Sequence, residues 1–275
     1  MTAATLNEVL TAARDDKSAV VAFVVHGWED AKAYVEAAEL TGRPIILQAG
    51  PGCRKHTPVA ILGQMFRHLA DAAKVPIVCH IDHARTYEEC ATAVECGFTS
   101  LMIDGSALPL EDNIALTSHV VALGHRHGIS VEGEIGAVGY QNGPQSSLTD
   151  VDEAERFARE TKIDALAISI GNLHLQTDHT TTIELDRLRT IEAVTPMPLV
   201  LHGASGIDPA MRRLLATEHR VKKFNIGTEF RQEFGRSLRG FLADHPAEFD
   251  RLKILSATIA PMRDLAVQVI NNLAP

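Results

Sequence analysis

Residues 78–90 read VCHIDHARTYEEC, and both the fold and the chemistry of the chain can be worked out from this stretch. An apolar, strand-like run ends on two ionisable neighbours, Asp82 and His83, and a helix start with a capping box at Thr86 and Glu89 follows. Burying either ionisable side chain without a partner would cost much free energy. The stretch therefore predicts a strand-to-helix unit whose polar end has either a structural partner or a catalytic task.

The same alternation of apolar runs and amphipathic helical segments recurs along the whole chain. Near-continuous apolar runs such as PIILQ (44–48) and PLVLH (198–202) are typical of parallel strands buried on both faces. Eight strand–helix units favour an α/β fold, the (β/α)8 TIM barrel, over an open doubly wound sheet. The predicted strands cover residues 19–25, 44–49, 75–80, 99–103, 129–134, 164–170, 197–202 and 221–226.

The length of 275 residues fits one barrel, which needs roughly 250 residues. We therefore expect a single domain over residues 1–275, with an N-terminal capping helix and a C-terminal helical extension. A capping box at Thr5 and Glu8 marks the start of the first helix. The segment from Phe249 to Leu273 has the apolar periodicity of a helix that could pack on a neighbouring subunit.

Composition excludes several classes of function. With 35 acidic and 26 basic residues the formal charge is −9, and the absence of a Lys/Arg-rich run argues against nucleic-acid binding. No apolar run approaches the roughly 20 residues that span a bilayer, and the N-terminus does not resemble a signal peptide, so we expect a cytoplasmic protein without a membrane partner. The four cysteines form no CxxC pair, which leaves histidines and carboxylates as ligands for any metal.

Polar side chains cluster where the predicted strands end, and in a barrel these ends meet at one rim. Three neutral imidazoles are a complete ligand set for a catalytic Zn²⁺ that keeps one position open. A lone histidine near a strand end is more often bonded to the backbone or a carboxylate, but three converging ones favour a metal site. The residues are Asp82, His83, Asp104, Glu132, Glu134, His174 and His202.

Two questions stay open at this rim. Glu132 and Glu134 share one strand face, and they are either a solvated strand end or groups that orient the histidines or hold a second cation. Near the C-terminus, LHGASGI (201–207) and FNIGTEF (224–230) join strands to helices through small residues. Such loops after the seventh and eighth strands match the usual phosphate site of a barrel, although glycine is common in any turn.

The chain resembles the class II, zinc-dependent ketose-bisphosphate aldolases, which include the fructose- and tagatose-bisphosphate enzymes. The similarity covers nearly the whole chain, and its motifs occur in the order and spacing of the family. They are HIDHA (80–84), SLMIDGSALPLEDNIALT (100–117), VEGEIGAVG (131–139), DALAISIGNLH (164–174), PLVLHGASGI (198–207) and KKFNIGTEFR (222–231).

The resemblance implies a role for each matching residue. His83, His174 and His202 match the ligands of one Zn²⁺ per subunit, and Asp82 matches the catalytic acid/base. Asp104 and Glu134 match carboxylates that act behind the ligands or hold an alternate metal position. The residues that match the phosphate and ketose site are Gly203, Ser205, Asn225, Gly227 and Thr228. A monovalent cation, Na⁺ or K⁺, often accompanies such sites, and the family suggests a homodimer or homotetramer.

The expected reaction is reversible retro-aldol cleavage of a ketose phosphate to dihydroxyacetone phosphate and an aldehyde. Zinc would stabilise the enediolate, and Asp82 would accept the proton of the hydroxyl next to the bond that breaks. Adjacent positions at a strand end can aim one side chain at the metal and the other at the substrate, which gives the pair at 82 and 83 a task.

Departures from the family motifs leave the substrate open. Val24 stands where the family has Asn, Gly50 where it has Ser, Leu175 where it has Gly, and residues 135–149 contain no Asp or Glu. Alternatives are therefore an aldolase for a non-phosphorylated or acidic sugar derivative, or a catalytically weak sugar-phosphate-binding protein that kept the metal site. We expect Val24, His26, Gly50 and residues 140–145 to border the aldehyde side of the site.

Overall fold

The computed structural model describes residues 2–139, 143 and 145–275. Eight strands pair in parallel, each with the next, and the eighth returns to the first, so the sheet closes into a barrel. This confirms the predicted (β/α)8 barrel. The strands are β1 Val20–Val24, β2 Ile45–Ala49, β3 Ile77–Ala84, β4 Ser100–Ile103, β5 Ser130–Ile135, β6 Ala165–Ile168, β7 Leu199–Leu201 and β8 Val221–Ile226.

Helices surround the barrel, and a two-residue strand, Ala3–Ala4, runs beside the start of β3. Within the described ranges, no helix is long and apolar enough to cross a membrane. The helices are α1 Leu6–Asp15, α2 Trp28–Thr41, α3 Pro51–His56, α4 Val59–Ala72, α5 Tyr87–Glu95, α6 Leu110–Arg126, α7 Val151–Thr161, α8 Leu185–Val194, α9 Pro209–Glu218, α10 Thr228–Asp244, α11 Arg251–Ser256 and α12 Ile259–Asn272.

Helix α1 covers the end of the barrel where the strands begin. Its start carries the predicted capping box between Thr5 and Glu8. Leu6 and Leu10 are fully buried in one cluster with apolar residues from six of the eight barrel strands. Apolar packing therefore closes this end of the barrel, and the polar groups of the site lie towards the opposite rim.

Strand β3 extends four residues further than predicted, so Asp82 and His83 lie inside the strand and not after it. Successive strand residues normally point to opposite faces. Here the pairing of β3 with β4 is irregular between Ile81 and Ala84, and His83 has a φ of +50°. A bulge of this kind re-aims one side chain, so Asp82 and His83 both face the same cavity.

The C-terminal segment forms two helices, α11 and α12, where one continuous apolar periodicity was expected. The apolar face of α12 packs on its own chain, mainly against α2, and buries Met262 and Ala266. Phe249 and Leu252 of the same segment are exposed at 91% and 74%. Contact with a neighbouring subunit stays a prediction, and these two side chains are the apolar surface that this segment offers for it.

Candidate active site

A cavity of about 260 Å³ opens at the rim where the strands end. It brings together residues from six of the eight strand ends and from α10. Asp104 and Glu134 lie behind His83, His202 contacts His83, and Glu132 contacts His202. The other predicted metal-site, catalytic and phosphate-site residues line the cavity. The lining includes Val24, His26, Gln48, Gly50, Cys53, Asp82, His83, His174, Leu175, Gly203, Ser205, Asn225, Gly227, Thr228 and Arg231.

Three histidines converge at the base of this cavity. One ring nitrogen from each of His83, His174 and His202 lies within 4.8 Å of the other two. The Nε2 atom of His83 is 2.9 Å from Nδ1 of His202. Two nitrogens bound to one tetrahedral zinc ion would lie about 3.3 Å apart, so a small adjustment brings the three rings around one ion.

The hydrogen bonds of the rings show why a cation fits between them. His83 uses Nδ1 to bond Asp104 at 2.9 Å, and His202 uses Nε2 to bond Glu132 at 3.1 Å. When both rings donate through these atoms, the lone pairs of the remaining nitrogens face each other at 2.9 Å. Such an arrangement requires a proton or a metal ion between the rings.

The electrostatics of the histidines are consistent with this geometry. Burial lowers the pKa of His174 to about 3, and burial beside His83 holds the pKa of His202 well below its usual value, so both are neutral at pH 7. Burial would also lower the pKa of His83, but the carboxylates of Asp82, Asp104 and Glu134 raise it to about 9. Ligation of a cation by His83 therefore releases a proton.

Two carboxylates lie on the other side of His83. Asp104 accepts from His83 and from the hydroxyl of Ser106 at 2.6 Å, and Glu134 Oε2 is 3.6 Å from His83 Nδ1. Burial raises the pKa of Glu134 to about 8, and its Oε2 atom has no hydrogen-bond partner among the described residues. His83, Asp104 and Glu134 form a second group that could hold a cation, through the ring nitrogen that now bonds Asp104.

A buried charged network supports His202 from below. Glu132 bonds His202 through one oxygen and Nζ of Lys223 through the other, at 2.6 Å. Lys223 also donates to Nε2 of His80 at 3.1 Å. Glu132, Lys223 and His80 are completely buried, which excludes the solvated interpretation of Glu132. Sequence reasoning missed Lys223, although a lysine at an inward-facing position of a buried strand signals a buried partner.

Replacing Glu132 with glutamine is expected to weaken metal affinity by about 10- to 100-fold, the usual effect of altering a partner behind a metal ligand. The variant keeps an acceptor for His202 but leaves Lys223 without its opposite charge. Chelator competition measures the affinity. Glu192→Gln is the matched control, since Glu192 bonds His219 outside the cavity. Equal affinities in wild type and Glu132→Gln would show that the network does not position the ligand.

Asp82 lies between two strand ends of the cavity and is largely buried. Asn225 donates to its Oδ1 atom at 3.3 Å from the β8 side. On the β2 side, a Cβ atom at Gly50 would lie 3.3 Å from Oδ2, so the glycine leaves this oxygen close to open space. Among the described residues, Asn225 thus holds the carboxylate by one side-chain bond, and the carboxylate faces the cavity next to the histidines.

Arg54, which sequence reasoning also missed, fixes the backbone beneath Asp82 and His83. Its guanidinium donates to the carbonyl oxygens of Ala49, Asp82 and His83 at 2.6, 2.5 and 3.1 Å. The side chain is 9% exposed. A planar group with several fixed donors can hold three carbonyls at once, which a lysine cannot do in the same geometry.

The two small-residue loops meet at the start of α10. The hydroxyl oxygen of Ser205 accepts from the backbone N–H groups of Gly227, Thr228 and Glu229 at 3.1–3.4 Å. Gly203 has a φ of +62°, and a Cβ there would lie 2.1 Å from the carbonyl oxygen of Leu173, so only glycine allows this approach. The loops thus present backbone donors and a hydroxyl at a helix N-terminus, where an anion is stabilised.

The predicted aldehyde side is described in part. Val24, His26 and Gly50 line the cavity, and their place on its aldehyde side stays a prediction. Residues 140–142 and 144 lie outside the described residues, so the expected contribution of this loop stays a prediction. Leu175 has a φ of +58°, a conformation that strains a leucine but suits the glycine of the family motif.

Comparison with known proteins identifies the family. The sequence model of the family described as fructose-bisphosphate aldolase class-II matches residues 4–274. The chain therefore belongs to the class II aldolases, a family of carbon–carbon lyases. For a member of this family, the histidine cluster at the carboxyl ends of the barrel strands is the candidate active site.

Two curated relatives and one solved structure are similar over most of the chain. The chain is 36% identical to 6-phospho-5-dehydro-2-deoxy-D-gluconate aldolase of Shouchella clausii, over 92% of this chain and 88% of that one. It is 32% identical to a fructose-bisphosphate aldolase of Pseudomonas aeruginosa, over 95% and 88%. The crystal structure of the YdjI aldolase from Escherichia coli K12 superposes with a TM-score of 0.86 at 30% identity, covering 99% and 97%.

Proposed function

We propose that this protein is a zinc-dependent aldolase that reversibly cleaves a ketose phosphate into dihydroxyacetone phosphate and an aldehyde. The observation that carries the proposal is the placement of a carboxylate, Asp82, beside three converging histidines in one cavity. Family membership supports the reaction class. The three histidines, Asp82 and the loops after β7 and β8 all lie on the rim where barrel enzymes have their active sites.

Each part of the cavity has a task in this reaction. A zinc ion held by His83, His174 and His202 would supply Lewis acidity towards the substrate ketone. Asp82 accepts the hydroxyl proton as the carbon–carbon bond breaks and returns it in the condensation direction. Asn225 keeps the carboxylate aimed at that position through its bond to Oδ1.

The loops after β7 and β8 bind the phosphate of the donor half. Backbone N–H groups at the start of α10 converge on the Ser205 hydroxyl, and a phosphate oxygen can accept from the same donors. The histidines and Asp82 then face the ketone and the neighbouring hydroxyl. Because the phosphate is fixed at one end, the reacting carbons are placed between the ion and the base.

The names of the relatives indicate which part of the substrate varies among class II aldolases. The substrate of the Shouchella clausii relative has a carboxylate at the end opposite the phosphate, whereas fructose bisphosphate has a second phosphate there. Both substrates share the ketone and phosphate that become dihydroxyacetone phosphate. We infer that the substrate of this protein has the same donor half as theirs. Its aldehyde half differs from that of fructose bisphosphate, and Val24 and Gly50 lie on that side of the cavity.

Fructose 1,6-bisphosphate is expected to be a poor substrate, because Val24 and Gly50 have no side-chain hydrogen-bond donors for a second phosphate. A polar group left unpaired there would cost about 1–3 kcal/mol. Cleavage rates for ketose 1-phosphates that differ in tail length and charge provide the measurement. If the bisphosphate is best by a wide margin, this part of the proposal is wrong.

The test of the reaction itself uses the metal-loaded protein, dihydroxyacetone phosphate and a panel of aldehydes. An aldolase produces new ketose phosphates and exchanges a carbon-bound donor proton with solvent. A sugar-phosphate-binding protein without turnover, the competing hypothesis, does neither. Absence of both signals with every aldehyde would therefore overturn the proposed function.

A further inference from the structure

Arg231 lines the cavity and contacts His26, which in turn contacts Asp30. Its Nε atom donates to Nε2 of His26 at 3.1 Å. Because Nε2 accepts, the ring proton of His26 is on Nδ1, which lies 3.5 Å from Oδ2 of Asp30. Asp30 is buried and also accepts from the backbone N–H of His26 at 2.9 Å. Arg231, His26 and Asp30 therefore form a chain of contacts that orients the guanidinium.

Arg231 is in the first turn of α10, next to the phosphate loops, but its partner His26 belongs to another strand end. The phosphate loops follow β7 and β8, whereas His26 follows β1. Val24 and Gly50, at the ends of β1 and β2, line the same side of the cavity. Through its contact with His26, the Nε atom of Arg231 lies beside the residues that follow β1.

The charge of Arg231 makes this part of the cavity selective for anionic groups. Among the described residues that line it, Arg231 is the single lysine or arginine. An anionic group on the aldehyde half would meet this guanidinium, while a neutral tail would gain nothing from it. Asp82 lines the same cavity and Asp30 contacts His26, so their charges disfavour a doubly charged tail more than a singly charged one.

We propose that Arg231, oriented by His26 and Asp30, binds a carboxylate at the far end of the aldehyde half of the substrate. The inference rests on the proposed function and adds the class of aldehyde. One guanidinium matches one carboxylate in charge and in its two-oxygen geometry. A phosphate dianion would need further donors, which Val24 and Gly50 do not supply.

The first test is condensation of dihydroxyacetone phosphate with three aldehydes that differ in one terminal group: 3-oxopropanoate, 3-hydroxypropanal and 3-oxopropyl phosphate. Wild-type protein is expected to favour the carboxylate over the hydroxyl by about 10- to 100-fold in kcat/KM. Arg231→Met should remove this preference, mainly through KM for the aldehyde, and should leave the rate with 3-hydroxypropanal within a few-fold. Arg236→Met is the matched control, because Arg236 is on the same helix, bonds Glu233 and lies outside the cavity lining.

Contrary results are easily recognised. No preference for the carboxylate in wild type, or equal losses with all three aldehydes in Arg231→Met, would overturn the proposal. A preference for 3-oxopropyl phosphate that disappears in Arg231→Met would replace carboxylate with phosphate. Donor-proton exchange with dihydroxyacetone phosphate alone should be the same in Arg231→Met and wild type, and a parallel loss would place Arg231 at the donor phosphate instead.

A binding measurement separates this proposal from the proposed function. The probe is 6-phospho-5-oxohexanoate, which has the ketone, phosphate and carboxylate but no hydroxyl next to a bond that can break. Calorimetry should show about 10-fold or stronger preference for this probe over its terminal alcohol in wild type but not in Arg231→Met. This preference can be present even if the protein proves unable to cleave any substrate, and its absence would overturn the role of Arg231 whatever the turnover.

Discussion

Replacing His202 with alanine is expected to abolish metal retention and cleavage together. The Nδ1 atom of His202 faces Nε2 of His83 at 2.9 Å, at the centre of the three-histidine group. Its loss leaves two imidazoles where a catalytic zinc site needs three protein ligands. Removal of the ring also takes away one of the two bonded partners of the buried Glu132. Metal content after gel filtration, followed by a cleavage assay, measures both effects.

The matched control for this variant is His127→Ala. His127 is exposed at the end of α6, and it is neither in the cavity lining nor in a group that could hold a metal. This variant should retain about one zinc ion per chain and full activity. A His202→Ala protein that binds zinc as tightly as wild type would exclude His202 as a ligand.

Replacing Asp82 with alanine is expected to lower turnover by about 10²-fold or more while zinc stays bound, the usual scale for loss of a general acid–base group. Asp82 is in the cavity but outside both groups that could hold a metal. Asp82→Asn keeps the shape and can still accept from Asn225, so it isolates the loss of proton transfer. The cleavage rate and zinc content of both variants provide the measurement.

Asp71→Ala is a suitable control for Asp82→Ala. Asp71 lies on α4 and pairs with Arg67 outside the cavity lining, so its loss should leave turnover unchanged. Normal cleavage by Asp82→Asn would assign the proton transfer to another group. Loss of zinc from Asp82→Asn would instead show that the carboxylate takes part in holding the metal.

The barrel and the position of its polar rim could be predicted because they depend on local patterns. Eight apolar runs of strand length, separated by helical segments, are typical of a closed parallel barrel of eight strands. Residues that follow such strands meet at one rim whatever the details of packing. His83, His174 and His202 were therefore placed together from sequence, and the structure brings them within 4.8 Å.

Features that depend on backbone irregularity or on distant partners could not be predicted. The bulge in β3 is not signalled by residue type, so the strand was ended before Asp82 and His83. Arg54 binds carbonyl oxygens, which leave no sequence pattern. Lys223 pairs with Glu132, which is 91 positions away in the sequence. A charged residue at an inward-facing strand position does not indicate which residue of another strand is its partner.

The measurement that tests the account most directly is deuterium incorporation into dihydroxyacetone phosphate in heavy water, before and after metal removal. Dialysis against a chelator should stop the exchange, and about one equivalent of zinc per chain should restore it. The same addition should fail to restore exchange in His202→Ala. Exchange that continues without metal, or that zinc cannot restore in the wild-type protein, would contradict a zinc-dependent aldolase built on His83, His174 and His202.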